Sequence, residues 1–319
     1  SSSSSSSALI PYVGVVFPSA VGDETPIAAP HRSFAFEHAG DVELRQQWER
    51  ASLGASQWDA GVLLATFLDT HAALIAKQIY AAELAATGAA TTSASASPFA
   101  FSTSTTTTAG TNRSSAAASL PLADANTSLP LSGLRVVELG AGLGLGTIVA
   151  ARLGAELVVS TDGDAALMDL LEHNVNASGP NVQRATRIMG YRWGVANETE
   201  AVLDVLGERH PSLILAADLI YPGNTDAWAP LLESMRALSR PDGTTMVIYG
   251  HTRRAREDLA FLKLAREIFE VKRVPPRLLP AEKRATESAI YTMRLKLNAG
   301  PAGGEVETEK EEEKSGEGT

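Results

Sequence analysis

Four glycines at alternate positions, in Gly140-Ala141-Gly142-Leu143-Gly144-Leu145-Gly146, constrain this chain more than any other feature. They follow a β-branched run, Leu134-Arg135-Val136-Val137-Glu138-Leu139, and precede a segment from Thr147 to Leu153 with helical patterning. A second short apolar run, Glu156-Leu157-Val158-Val159-Ser160, completes a strand, helix, strand unit. Glycine lets a backbone turn through positive φ and come close to a ligand, so a glycine loop between a strand and a helix marks the binding edge of an α/β sheet. The spacing here is G-x-G-x-G. It fails the dinucleotide fingerprint G-x-G-x-x-G, because the third position falls on Leu145 or on Thr147, depending on the starting pair.

Helical and extended patterns keep alternating downstream. The sequence predicts a helix from about Ala165 to Asn176, a strand near Gln183 to Met189, a buried strand at Leu213-Ile214-Leu215-Ala216-Ala217 and a helix over Trp228 to Leu238. The turn signal Arg240-Pro241-Asp242-Gly243 then leads into a strand over Thr244 to Tyr249 and an amphipathic helix over Glu257 to Ile268. Phe269 to Val274 and Ala289 to Leu295 read as strands with no helix between them, which favours antiparallel pairing. The expected fold is α/β, a doubly wound, Rossmann-like seven-stranded sheet closed by an antiparallel terminal hairpin. Upstream, Val62 to Leu84 reads as a long apolar helix. Asp69, His71, Lys77 and Gln78 interrupt it, and no run reaches the roughly 18 uninterrupted apolar residues of a membrane span.

The folded domain is expected over residues 31–297 of the 319, with disorder at 1–30, in an Ala/Ser/Thr-rich insertion at about 88–120, and in an acidic tail at 298–319. From Glu305 to Thr319 the tail carries seven glutamates and two lysines, net −5, half of the formal net charge of −10. The remaining body is too acidic to hold duplex nucleic acid by neutralising phosphates, and a basic protein surface suits it better. With no cysteine, thiolate zinc sites, iron–sulfur clusters, disulfides and cysteine nucleophiles are excluded together. The six histidines show no ligand spacing, so no metal is expected, and each is read as a surface or helix-end residue. No G-x-S-x-G follows a strand, which counts against a serine hydrolase. A monomer is the default expectation.

Three carboxylates fall at the ends of predicted strands. Glu138, two positions before the first loop glycine, suits a cationic ligand better than a pyrophosphate, and S-adenosylmethionine carries both a sulfonium and an ammonium. Asp162, twenty-two residues after Gly140, is placed to accept both ribose hydroxyls of an adenosine, a spacing that by itself leaves NAD and S-adenosylmethionine both open. Asp164 is read as the cap of the next helix. Asp218, in Ala217-Asp218-Leu219-Ile220-Tyr221-Pro222, would be delivered with Tyr221 to the same rim. Trp58 is read as a hydrophobic staple ahead of the upstream helix with Asp59 able to cap it, and Trp193 as an indole able to stack on an adenine.

These motifs, Trp58-Asp59-Ala60, Val136 to Gly142, Thr161-Asp162, His173-Asn174-Val175, Trp193-Gly194 and Ala217 to Tyr221, together resemble the seven-β-strand protein-lysine methyltransferases of family 16, the methyltransferase-like 21 group. The resemblance runs from about Phe34 to Leu297, apart from the insertion. It implies a class I S-adenosylmethionine-dependent methyltransferase in which Trp58, Glu138, Gly140, Ala141, Gly142, Asp162, Trp193 and Ala217 contact the cofactor while Asp218 and Tyr221 face the target side chain. It also implies a protein substrate, such as a chaperone or an elongation factor, and a cytoplasmic or additionally nuclear location. Transfer to arginine, histidine or a small molecule, a non-catalytic binding module and a nucleotide-binding oxidoreductase are the competing readings.

Overall fold

The computed structural model describes residues 29–47, 53–88, 129–207, 209–255, 258–281, 284 and 286–297. The three segments expected to be disordered lie outside the described residues, apart from 29, 30 and 88. An antiparallel ribbon, β1 (His31–Phe34) and β2 (Val42–Arg45), comes first and was not anticipated from sequence. The main sheet contains β3 (Arg135–Leu139), β4 (Leu157–Asp162), β5 (Thr186–Gly190), β6 (Leu213–Ala217), β7 (Met246–Thr252), β8 (Phe269–Arg273) and β9 (Ser288–Leu295). Their order is β5-β4-β3-β6-β7-β9-β8, with β3 to β7 mutually parallel and β9 antiparallel to both of its neighbours. The order reverses between β3 and β6, and the crevice beyond their carboxyl ends is where open α/β sheets bind ligands.

Side-chain alternation sorts the strands between two cores. Val136, Leu213, Leu215, Met246 and Ile248 join the core under α1 (Asp59–Ala86), α2 (Leu145–Arg152) and α3 (Met168–Ala177). Val137, Leu139, Ile214, Ala216, Val247 and Tyr249 join the opposite core, under α5 (Ala196–Val205), α6 (Trp228–Leu238) and α7 (Asp258–Ile268). Burial on both faces explains why these strands read as continuous apolar runs.

The upstream helix, α1, spans 28 residues and packs across β6, β7, β9 and α2. By length and composition alone it is apolar enough to cross a membrane, but more than half of that window is buried inside the protein. Its polar interruption, Asp69, is 3% exposed and accepts the backbone N–H groups of Glu37, His38 and Ala39 at 2.7–3.3 Å. It thereby ties the helix to the turn between β1 and β2.

Four expectations need correction. The strand read from Gln183 begins only at Thr186, because Pro180 at the first helical position after Gly179 starts a short helix, α4 (Pro180–Ala185). The strand read as ending at Tyr249 continues to Thr252, carried by pairing of His251 with Ala289 and Thr252 with Ser288. Asp59 is the first residue of α1 rather than its cap; the cap position belongs to Trp58, which makes no side-chain capping bond. His251 is 5% exposed, not a surface residue, because the lengthened strand carries it beneath α7. Asp164 does cap the turn that follows β4, accepting the Ala166 N–H at 2.9 Å.

Candidate functional site

The glycine loop leaves β3 with Gly140, Gly142 and Gly144 at φ of 61°, 54° and 84°. It is fixed from the neighbouring strand: Ala141 N–H donates to Thr161 O at 2.9 Å, and Gly142 N–H donates to Asp162 Oδ2 at 2.9 Å. Asp162 Oδ1 accepts the Asp164 N–H at 3.0 Å, so the carboxylate at the end of β4 is oriented before any ligand arrives. Burial raises its pKa, partly offset by those amide donors. Asn174, from the His173-Asn174-Val175 motif, donates to Leu143 O and exchanges two bonds with the backbone of Arg45. This buried amide pins the loop to the β1–β2 ribbon.

Glu138 is 6% exposed, and its carboxylate accepts both the backbone N–H and the hydroxyl of Thr147, in the first turn of α2. A Cβ on Gly146 would lie 2.3 Å from Glu138 Oε1, so the last loop glycine is required by the carboxylate it packs against. Burial pushes Glu138 up from 4.5 to about 7; the Thr147 bonds resist this and the nearby Asp162 charge adds to it.

Two tryptophans frame the loop. A Cβ on Gly140 would lie 2.4 Å from Leu219 Cδ2 and 3.4 Å from Trp193 Cζ2, so only glycine lets those side chains close over it. The Trp193 indole N–H is buried with no partner among the described residues, a donor whose burial is costly until something accepts from it. Trp58 donates from its indole N–H to Leu53 O at 2.7 Å, which brings the adjoining turn down so that a Cβ on Gly142 would meet Gly54 O at 3.1 Å.

Asp218 follows Ala217, the last residue of β6, and is the only described non-glycine residue at positive φ, 59°. Its N–H is held by Gly250 O at 2.8 Å. Its carboxylate receives two parallel bonds from Arg254, Nη1 to Oδ1 at 2.7 Å and Nη2 to Oδ2 at 2.5 Å, and the Thr252 N–H at 3.4 Å. The Arg254 guanidinium also lies 5.6 Å from the Trp58 ring centroid, within cation–π range. Burial works against the Arg254 charge, but Asp218 outweighs it and the pKa is raised. Tyr221, half-buried, ends the same turn, which Asn224 holds by donating to Leu219 O at 2.8 Å and accepting the Tyr221 N–H at 3.0 Å.

Most of the candidate residues fall into three contacting groups near the carboxyl ends of β3, β4 and β6: Glu138 with the start of α2, Asp162 and Trp193 with the loop glycines, and Trp58 with Asp218 through Arg254, while Ala217 and Tyr221 flank Asp218 along the chain. Arg254 and Asn224 escaped the sequence reading, and Asn174 enters it only as part of the His173-Asn174-Val175 motif, without the bonds it makes. Arg254 lies in His251-Thr252-Arg253-Arg254, which reads as a polar link only if β7 is ended three residues too early. Among the described residues no group of three or more His, Asp or Glu is arranged to hold a metal ion.

Residues 37–268 match the family described as lysine methyltransferase. The chain belongs to that family. It is 28% identical to the protein N-lysine methyltransferase METTL21A of Danio rerio over 270 residues, covering 84% of this chain and 89% of that protein. It is 34% identical to the protein N-terminal and lysine N-methyltransferase efm7 of Schizosaccharomyces pombe over 156 residues, 44% of this chain and 59% of the relative. A third relative, the EEF1A lysine methyltransferase 3 of Mus musculus, is 33% identical over 129 residues, 40% of this chain and 50% of its own length.

As a lysine methyltransferase the protein uses S-adenosylmethionine, and the rim fits that group. Among the described residues the buried Trp193 indole N–H lacks an acceptor, and the Asp162 carboxylate at the end of β4 is oriented beside the glycine loop, where an adenosine's hydroxyls would meet it.

Proposed function

We propose that this lysine methyltransferase modifies a lysine of a protein with the residues of this rim in defined roles. Gly140, Ala141, Gly142 and Ala217 line the cofactor, Asp162 takes the ribose hydroxyls, Trp193 and Trp58 cover the remaining faces, and Glu138 stands towards the methionine end. When bound, S-adenosylmethionine supplies a methyl group on a sulfonium that becomes a neutral thioether after transfer. Asp218 and Tyr221 orient the target amine, which must be unprotonated to react although lysine ordinarily holds its proton to a pKa of ~10.4. The observation that carries the reading is the left-handed Asp218 at the end of β6, whose carboxylate pairs with the Arg254 guanidinium that lies against the Trp58 ring.

The substrate class implied by the resemblance, a chaperone or elongation factor, agrees with the name of the mouse relative, which specifies EEF1A. The name of the fission-yeast relative includes protein N-termini, which makes a terminal amine the second acceptor to examine. We place the protein in the cytoplasm, with the nucleus as a further compartment, and expect it to act as a monomer.

Transfer of labelled methyl groups to a protein extract, with labelled peptides located by mass spectrometry, tests the reading. Asp218→Asn is the informative variant, because it keeps the side chain's shape and one oxygen facing the Arg254 guanidinium, where alanine takes away both oxygens and leaves a void. Transfer should fall at least about tenfold while affinity for S-adenosylhomocysteine stays constant. Undiminished labelling by this variant removes Asp218 from its role, and label on no amine of any protein removes the proposed substrate class.

A further inference from the structure

The electrostatics around Asp218 present a chemical difficulty that Arg254 resolves. An unpaired carboxylate beside an entering lysine favours the ammonium form, yet methyl transfer needs the free amine. Here both oxygens of Asp218 are taken by one guanidinium, with the two side chains 5% and 18% exposed. Among the described residues, the other groups facing this pair are few. Tyr249 and His251 come from β7, with Tyr249 held as a phenol by burial and His251 depressed by burial, so that neither brings a charge at neutral pH. Tyr291 comes from β9 and lies 6.4 Å from Tyr249, ring to ring. Asp258, at the start of α7, accepts the Arg254 and Ala255 N–H groups at 2.8 and 3.1 Å and faces His251 Nε2 at 3.4 Å. Trp58 comes from the entrance to α1 and covers the guanidinium.

We propose that Arg254 is a positioning residue that keeps Asp218 neutralised, so that the target amine enters as an uncharged base and meets Asp218 as a hydrogen-bond acceptor rather than as a counter-ion. The inference rests on the lysine reading above. Trp58 supports it by holding the planar guanidinium from one face while Asp218 fixes two of its N–H groups, an arrangement a single point charge does not reproduce. Arg254 acts through Asp218, not on the reacting atoms.

The test is the pH dependence of kcat for methyl transfer at saturating labelled substrate protein, which reports groups in the bound complex, joined to a binding measurement that needs no turnover. Arg254→Gln uncovers the Asp218 charge, so the rising limb of its profile should move up by about one to two pH units. Its rate at pH 7.5 should fall at least about tenfold and recover near pH 9.5. Arg254→Lys keeps the charge, and Arg254→Gln combined with Asp218→Asn removes both charges, so both proteins should keep the wild-type midpoint. In calorimetric titrations at pH 7 with S-adenosylhomocysteine present, n-butylamine, which is then the ammonium, should bind Arg254→Gln at least about fivefold more tightly than wild type. Asp218→Asn covers the case in which Arg254→Gln does not fold: it leaves a net positive charge and should bind n-butylammonium more weakly by a similar factor, and unchanged binding overturns the proposal. So does an Arg254→Gln protein whose midpoint stays put while its rate drops equally at every pH, since that marks a purely structural role. Faster transfer at pH 7.5 overturns it as well, since that marks Arg254 as an obstruction. If wild type labels no lysine, the lysine reading fails by itself, and the n-butylamine titrations still decide the charge of the pair.

Discussion

Glu138 offers the sharpest stability prediction, because its perturbation has one dominant cause. Burial lifts its pKa from 4.5 to about 7, so between those values the folded protein holds a proton that the unfolded chain has released. Stability must then fall as pH rises through that window and level off above it, the opposite of a salt-bridged carboxylate. At about 1.36 kcal/mol per pH unit the interval corresponds to roughly 3 kcal/mol, of which about 2 kcal/mol or slightly more is lost between pH 5 and pH 8. Glu138→Gln removes the titration while keeping an oxygen for the Thr147 N–H and hydroxyl. The assay is urea unfolding of both proteins without cofactor at pH 5, 6, 7 and 8, taking the difference in free energy at each pH so that every other titrating group cancels. The variant should gain on wild type steadily to about pH 7 and then no further. A difference that stays flat with pH, or that grows in favour of wild type, refutes the assignment of a buried, protonated Glu138.

Three further outcomes follow from the same geometry. Asp218→Ala should cost about 3–5 kcal/mol in thermal or urea unfolding by leaving a buried guanidinium unpaired, and Arg254→Met added to it should return part of that loss; no return means the two side chains are not coupled. Gly142→Ala should weaken binding of S-adenosylhomocysteine by calorimetry at least tenfold and cost about 1–2 kcal/mol of stability, since φ is 54° there and the new Cβ meets Gly54 O at 3.1 Å. Asn224→Ala should reduce methyl transfer while leaving S-adenosylhomocysteine affinity unchanged, because it releases the Leu219–Tyr221 turn and not the glycine loop; weakened cofactor binding contradicts that separation.

What could be read from sequence divides along a physical line. The strand, glycine loop and helix around Gly140 are local, as are the apolar runs of β6 and α6, and the structure forms each of them where the spacing requires. Asp162 and Asp218 are legible for the same reason, since a residue at the end of a parallel strand is delivered to the rim whatever packs around it. The β1–β2 ribbon was not, because its strands are only four residues each and what holds it is non-local: Asp69 of α1, the Asn174 amide and the Arg152 guanidinium, which reaches Ala39 O and Asp41 O. The start of β5 was missed because Ala, Gln and Arg around Val182 fit either state, and the proline that decides it acts from three residues before Gln183. Arg254 was missed because its meaning depends entirely on a partner 36 residues away.

That last pair also accounts for the backbone at Asp218. A non-glycine residue at φ of 59° costs roughly 1–2 kcal/mol, and a glycine would relieve it. The strain is tolerated because three separate interactions agree on one position: Gly250 O takes the Asp218 N–H, the Thr252 N–H approaches Oδ1, and Arg254 closes on both carboxylate oxygens. All three come from the part of β7 beyond Tyr249 and the residues just after it. The strand extension, the arginine and the left-handed aspartate are therefore one device. Lengthening β7 carries Thr252 and Arg254 to the rim, and without them only Gly250 O holds the aspartate in its unfavourable conformation and nothing pairs with its carboxylate before a lysine arrives.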